Sequence, residues 1–162
     1  MIFMKCDVNS FKNDDIKLIT FISIIHRQYM VYLNNCLKKE GITSAHAPIL
    51  VYLLQKDTSC QDEIGNQFKI DKGSIARSIQ KLQEKQFINK EIDENNRRKY
   101  RLSLTKKGKK VALKIMDLNN KWENLIYSNC DIDENTIIEL MRNITISSIN
   151  IQKNTQEEEK NG

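Results

Sequence analysis

Apolar residues recur along most of the chain at helical spacing. From Ile16 to Leu37 the positions Leu18, Ile22, Ile25, Tyr29, Leu33 and Cys36 step by three or four, and Phe21, Ile24, Val31 and Tyr32 widen the apolar face. Gly41, after the charged Lys38-Lys39-Glu40, marks the stop. Thr43 or Ser44 caps a second helix, His46 to about Lys56, with Pro48 near its start, where a missing N–H costs little. Ser59 and Asp62 form a capping box for a short third helix ending near Phe68, and Asp71 caps a fourth, Lys72 to about Gln86. The period then falls to two. Ile88, Lys90 and Ile92 alternate within Phe87–Ile92, as do Tyr100, Leu102 and Leu104 within Lys99–Leu104. The polar run Asp93-Glu94-Asn95-Asn96-Arg97-Arg98 between them predicts the turn of a hairpin. Thr105 caps a long fifth helix with Val111, Ile115, Leu118, Trp122, Leu125 and Ile126 on one face, and Asp133 starts a sixth, Glu134 to about Ile151.

The fold class is therefore mainly α with one small β-hairpin (α+β). Five glycines and one proline are too few for a sandwich or barrel of many tight turns, and the 29% of charged residues fit a globular domain. Charge is placed unevenly along the chain. Residues 60–110 carry fourteen Lys/Arg and seven Asp/Glu, a net +7, while the remainder sums to −2. Such a local excess is the footprint of a polyanionic partner. On the fourth helix Ile75, Ile79 and Leu82 share one face, and Ser74, Arg77, Ser78, Lys81 and Lys85 the other. Arginine can read guanine bidentately and serine can donate to bases or phosphates. Gly73 near the helix start allows close backbone approach, and a helix N-terminus favours phosphate. Two short helices with this stripe on the second, followed by a basic hairpin, describe a winged helix-turn-helix. The second helix would enter a major groove of double-stranded DNA and the wing an adjacent minor groove. The residues expected at DNA are Ser74, Arg77, Ser78 and Lys81 on the helix, with Asn95, Asn96, Arg97, Arg98 and Lys99 on the wing.

These residues resemble the MarR family of transcriptional regulators. The motifs are Gly41-Ile42-Thr43 before the second helix, Ile70-Asp71-Lys72-Gly73-Ser74-Ile75-Ala76-Arg77 into the fourth, and a wing of Asp93, Asn96 and Arg98 followed by Leu104-Thr105-Lys106-Lys107-Gly108. The order of elements matches from about Ile16 to Ile151. Four positions depart from the family pattern. Asn96 replaces the second wing aspartate, which in the family pairs with the wing arginine. Gln86 replaces a glycine, at a cost on the order of 1 kcal/mol if the backbone there is left-handed. His46 stands for a glutamine, and Ala47 for a bulky apolar residue. The resemblance implies a homodimer on a pseudo-palindromic operator, with residues 41–104 as the DNA-binding lobe, 16–40 and 105–151 as a helical dimerisation region, and 1–13 and 152–162 as flexible termini. The apolar excess of the first helix and of the last (Ile137, Ile138, Leu140, Met141, Ile144, Ile146, Ile149) independently asks for a partner.

The resemblance also implies a small aromatic or amphipathic effector that releases a repressor; Tyr29, Tyr32, His46, Tyr52 and Arg77 are the candidate lining. Two alternatives stand beside this reading. One is a winged-helix module that binds another protein. The other is a regulator of the same fold that senses oxidants through Cys6, beside Lys5, or Cys60, in the first turn of the third helix. Cys36, on an apolar helix face, fits an inert core position instead. Enzymatic activity, a cofactor and a metal site are not expected. The four cysteines and two histidines have no metal-ligand spacing, and no Gly-rich phosphate loop, G-x-S-x-G or H-E-x-x-H occurs. With no secretory signal and no span free of charge, the expected location is the cytoplasm, with reduced thiols. Twenty lysines against six arginines, with abundant Ile and Asn, suggest an AT-rich genome and operator.

Overall fold

Lys17, in extended conformation, leads into α1 (Leu18–Leu37), two residues later than the apolar pattern begins. The computed structural model describes residues 15–93 and 96–161, with side chains except those of 96–99, 153 and 156–161. A 3-10 turn at Lys38–Glu40 closes on Gly41 in left-handed conformation (φ 67°). A second 3-10 turn, Ser44–His46, leads into α2 (Ala47–Lys56). Then come β1 (Thr58–Ser59), α3 (Gln61–Phe68), α4 (Lys72–Glu84), β2 (Ile88–Asp93), β3 (Asn96–Leu104), α5 (Lys106–Tyr127) and α6 (Glu134–Asn161). The chain divides into two compact units, residues 1–118 and 119–162.

The first unit holds the buried core. Leu33 and Leu37 of α1 meet Ile49, Leu50 and Leu53 of α2, Ile64 of α3, and Ile75, Ile79 and Leu82 of α4. Phe87, Ile88 and Leu102 close it from the sheet, and Val111, Ala112 and Ile115 from the first half of α5. The three-stranded antiparallel sheet has the order β1-β3-β2. β1 was not foreseen. At two residues it is too short to show periodicity, and it exists because Thr58 and Ser59 pair with Ser103 and Leu102.

Three further boundaries differ from the sequence pattern. The third helix is capped one residue later than expected. Ser59 belongs to β1, Cys60 is the N-cap, and Glu63 Oε2 accepts from both Ser59 Oγ (2.6 Å) and the Cys60 N–H (3.1 Å). The hairpin ladder runs further than its apolar residues do. Asp93 pairs with Asn96 beyond a register shift, so the backbone of Asn96, Arg97 and Arg98 belongs to strand β3 rather than to a turn. An exposed ribbon needs no apolar side chains to make its backbone hydrogen bonds. Last, α6 continues to Asn161, so the segment expected as a flexible tail, 152–162, is helical up to that residue. It contains no Gly or Pro before Gly162 to break the pattern. The expected flexible segment 1–13 lies outside the described residues.

The second unit comprises the end of α5 and α6. Ser128 Oγ and Asn129 Nδ2 bond the last carbonyls of α5 at Asn124 (2.8 Å) and Leu125 (2.7 Å). Asp133 caps α6 by accepting from the Thr136 N–H (3.0 Å) and hydroxyl (2.6 Å). Within this unit none of the described side chains is buried, and Ile138, Leu140, Met141, Ile146, Ile149 and Ile151 stand exposed on α6.

Candidate nucleic-acid interface

The candidate interface begins at the start of α4. Asp71, extended, accepts the Ser74 N–H at 2.9 Å and so satisfies one of the four free donors of the helix N-terminus. The hydrogen bonds from Ser74 hold its carboxyl below the ordinary carboxylate range, with a smaller push from the Arg77 charge. Ile75, Ile79 and Leu82 are buried, which turns the opposite face outward. On that face Arg77 and Lys81 are exposed, and Ser74 and Ser78 are half-buried. Arg77 Nη2 donates to Ser74 Oγ at 3.0 Å. Lys81 faces Glu84 at 3.9 Å, and Gln80 donates to the same carboxylate at 3.1 Å. Lys85 leaves the stripe, because its ammonium lies against Gly41.

At the C-terminal end of α4 the chain turns sharply through Gln86, with φ 58°. The Phe87 N–H returns to the Leu82 carbonyl (2.9 Å) and the Gln86 N–H to that of Gln83 (2.9 Å). This pair of bonds is the Schellman arrangement, with Phe87 and Leu82 buried together. The segment Leu104-Thr105-Lys106-Lys107-Gly108 then fastens the wing to α5. Thr105 Oγ1 donates to the Gln86 carbonyl (2.7 Å) and accepts the Gly108 N–H (2.9 Å). A Cβ on Gly108 would lie 1.8 Å from the Phe87 carbonyl oxygen, so only glycine fits this crossing. Lys107 donates to the Lys85 carbonyl at 3.0 Å and covers the Phe87 ring at 4.8 Å. Its role is thus to cap the C-terminus of α4.

On the wing, β2 and β3 set Ile92 opposite Tyr100 and Glu91 opposite Arg101. Lys90 lies over the Tyr100 ring at 4.3 Å. Neither this cation–π pair nor the exposed Ile92 was foreseen; alternation marked these residues only as strand. Of the wing residues expected at DNA, Asn95 lies outside the described residues. Asn96, Arg97, Arg98 and Lys99 are described by backbone alone, as part of β3.

The five residues proposed to line an effector pocket have separate engagements. Tyr29 packs against the core. The Tyr32 hydroxyl donates to the Leu118 carbonyl at 3.3 Å, and burial, with Cys36 beside it, raises its pKa. Tyr52 meets the Phe68 ring edge-on at 5.7 Å. His46 Nδ1 accepts the Thr43 N–H at 3.0 Å and closes the turn before α2. Burial, with the charge of Lys81 adding to it, lowers the His46 pKa against the pull of the Thr43 carbonyl. Arg77 is held by Ser74, as above. Of the cysteines, Cys36 and Cys60 are half-buried and Cys130 is exposed, while Cys6 lies outside the described residues. Among the described residues no three His, Cys, Asp or Glu side chains gather as a metal site. No described helix is long and apolar enough to cross a membrane.

Comparison with known proteins agrees with this geometry. Residues 42–100 match the model of the MarR family. The chain is 25% identical to the HTH-type transcriptional regulator BilQ of Clostridioides difficile (strain CD3), over 84% of this chain and 91% of BilQ. It is 31% identical to a MarR transcriptional regulator from Methanosarcina mazei Go1 of known crystal structure, covering 83% of this chain and 95% of that one, with a TM-score of 0.71. The S. aureus MepR–DNA complex, at 19% identity, TM-score 0.73 and coverage of 83% and 99%, shares the fold. The fitted positions, Thr105 as cap, Gly108 at the crossing and Asp71 before the helix, are the ones that carried the family motif in the sequence. The chain belongs to the MarR family of transcriptional regulators.

Proposed function

We propose that the protein is a homodimeric repressor that binds a pseudo-palindromic DNA operator and is released by a small aromatic or amphipathic effector. The observation that carries the DNA reading is α4, whose apolar face is fully engaged while Ser74, Arg77, Ser78 and Lys81 are turned outward. This helix lies in the stretch that holds the chain's positive excess. Arg97, Arg98 and Lys99, with Asn95 and Asn96, would serve the minor groove from the wing. Dimerisation is supported by α6, a 28-residue helix with exposed isoleucines and no buried residue among those described. Such surface ordinarily marks an interface. The effector reading rests on family membership and on the half-buried aromatic residues Tyr29, Tyr32 and Tyr52.

Two measurements test the core of the proposal. Light scattering is expected to give twice the 19.0 kDa chain mass at micromolar concentration. Fluorescence anisotropy on DNA from upstream of the protein's own gene is expected to show binding above that to scrambled duplex. Log K should fall linearly with log salt, by about 0.9 for each neutralised phosphate. Equal binding to both duplexes, or no salt dependence, would favour a protein partner instead.

A further inference from the structure

We infer that Ser74 makes no base contact of its own and instead sets the Arg77 guanidinium to recognise a guanine in each half-site. The inference rests on the DNA-binding reading above. An exposed arginine samples many rotamers, and ordering it on binding costs entropy. Here its neighbours on the first turn restrict it. Ser74, three residues earlier on the same stripe, accepts from Nη2 at 3.0 Å. A Cβ at Gly73 would lie 3.5 Å from Nη1, so the guanidinium lies along the helix toward its N-terminus. Asp71, which caps the Ser74 N–H, offers a carboxylate near the guanidinium.

With Nη2 bonded to Ser74, the guanidinium keeps further N–H donors, and two of them would form the fork on DNA. In the major groove only guanine presents two adjacent acceptors, O6 and N7, to such a fork; adenine pairs an acceptor with a donor. The Ser74 hydroxyl accepts from Arg77 and turns its own O–H to the Asp71 carboxylate, so a base would have to displace Asp71 to receive that proton. Ser74 is thus a positioning residue and Arg77 the reading one.

The test is a double-mutant cycle on DNA. Random-core duplexes are selected with the full-length protein, and each G·C pair of the consensus is replaced in turn by A·T. At one position per half-site the replacement is expected to weaken wild-type binding roughly ten-fold for each guanine removed. Ser74→Ala keeps the cap, which uses its backbone N–H, so the helix start is preserved. Ser74→Ala and Arg77→Ala should both lose the guanine preference, and the double variant should bind no worse than Arg77→Ala alone. Ser74→Thr, which restores a hydroxyl, should recover the preference. The inference is overturned if Ser74→Ala keeps full guanine preference, or weakens the Arg77→Ala protein as much as it weakens wild type. A wild-type protein that selects no consensus at all would overturn the DNA-binding reading, and the inference with it.

Discussion

Gln86 occupies a left-handed backbone position that suits glycine, because it is the C′ residue of the Schellman turn ending α4. Its Cβ carries a penalty there, and its side chain is exposed. Gln86→Gly should therefore raise stability by about 1 kcal/mol in urea unfolding. Gly108→Ala should act in the opposite direction, lowering it by about 3 kcal/mol, since the new methyl meets the Phe87 carbonyl. Equal stabilities for the three proteins would refute this account of the junction. His46 gives a pH prediction. Its folded pKa is depressed, so as the pH falls below 6.5 the unfolded chain takes up a proton that the folded one resists. Stability is then full above that value and declines beneath it. Glu40 is a depressed carboxyl, held low chiefly by the Lys114 hydrogen bond. Its contribution is present above 4.5 and is lost as the pH falls through its folded value. Thermal melts across this range should show two acid steps. His46→Gln should abolish the upper step and leave the lower; an unchanged upper step would exclude His46 as its source.

Lys114 of α5 clamps the 3-10 turn after α1. Its ammonium lies 2.6 Å from Glu40 Oε1 and 3.2 Å from the Cys36 carbonyl, while Glu40 Oε2 is buried without a partner. Lys114→Met would leave a mostly buried carboxylate uncompensated, and we expect it to lose about 2 kcal/mol, discounted for the partial exposure of the lysine. Glu40→Gln should lose less, because Lys114 can turn to solvent. Chemical denaturation of both variants at neutral pH checks the order, and the reverse order would show that the ion pair is not what holds the turn. This clamp could not be read from the chain, since it joins residues 74 apart that follow no periodic rule. What was legible were the local signals. Helical spacing gave α1 to α6 to within a few residues at most ends, and Asp71 and Thr105 marked true caps. Where two local signals competed, the choice depended on tertiary pairing. Ser59 looked like an N-cap, but it went to β1 because Leu102 offered a strand partner. The outward stripe of α4 was legible because amphipathic spacing fixes which side chains point away from a core. The coupling of Arg77 to Ser74 was not, since spacing brings the two residues together without fixing a rotamer.

At the scale of the whole molecule, the chain joins a basic, well-packed unit to a second one with no buried side chain among those described. The first can meet DNA as a single lobe, but the second has apolar surface to cover, and a copy of the same helix is the self-complementary way to cover it. In the proposed two-fold dimer, two copies of α4 would meet one duplex. Successive major grooves on one face recur about every 10 base pairs. The operator should accordingly be an inverted repeat with half-site centres about one helical turn apart. Inserting about 5 base pairs between the halves rotates one of them to the far side of the duplex, out of reach of the second lobe if the proposed dimer holds its two lobes in fixed register. Affinity should fall to that of a single half-site, and the salt slope should fall by about half, because only one lobe still neutralises phosphates. Anisotropy titrations on the two spacings at several salt concentrations measure both quantities together. If the insertion changes neither affinity nor slope, each lobe binds independently and the dimer has no part in reading the operator.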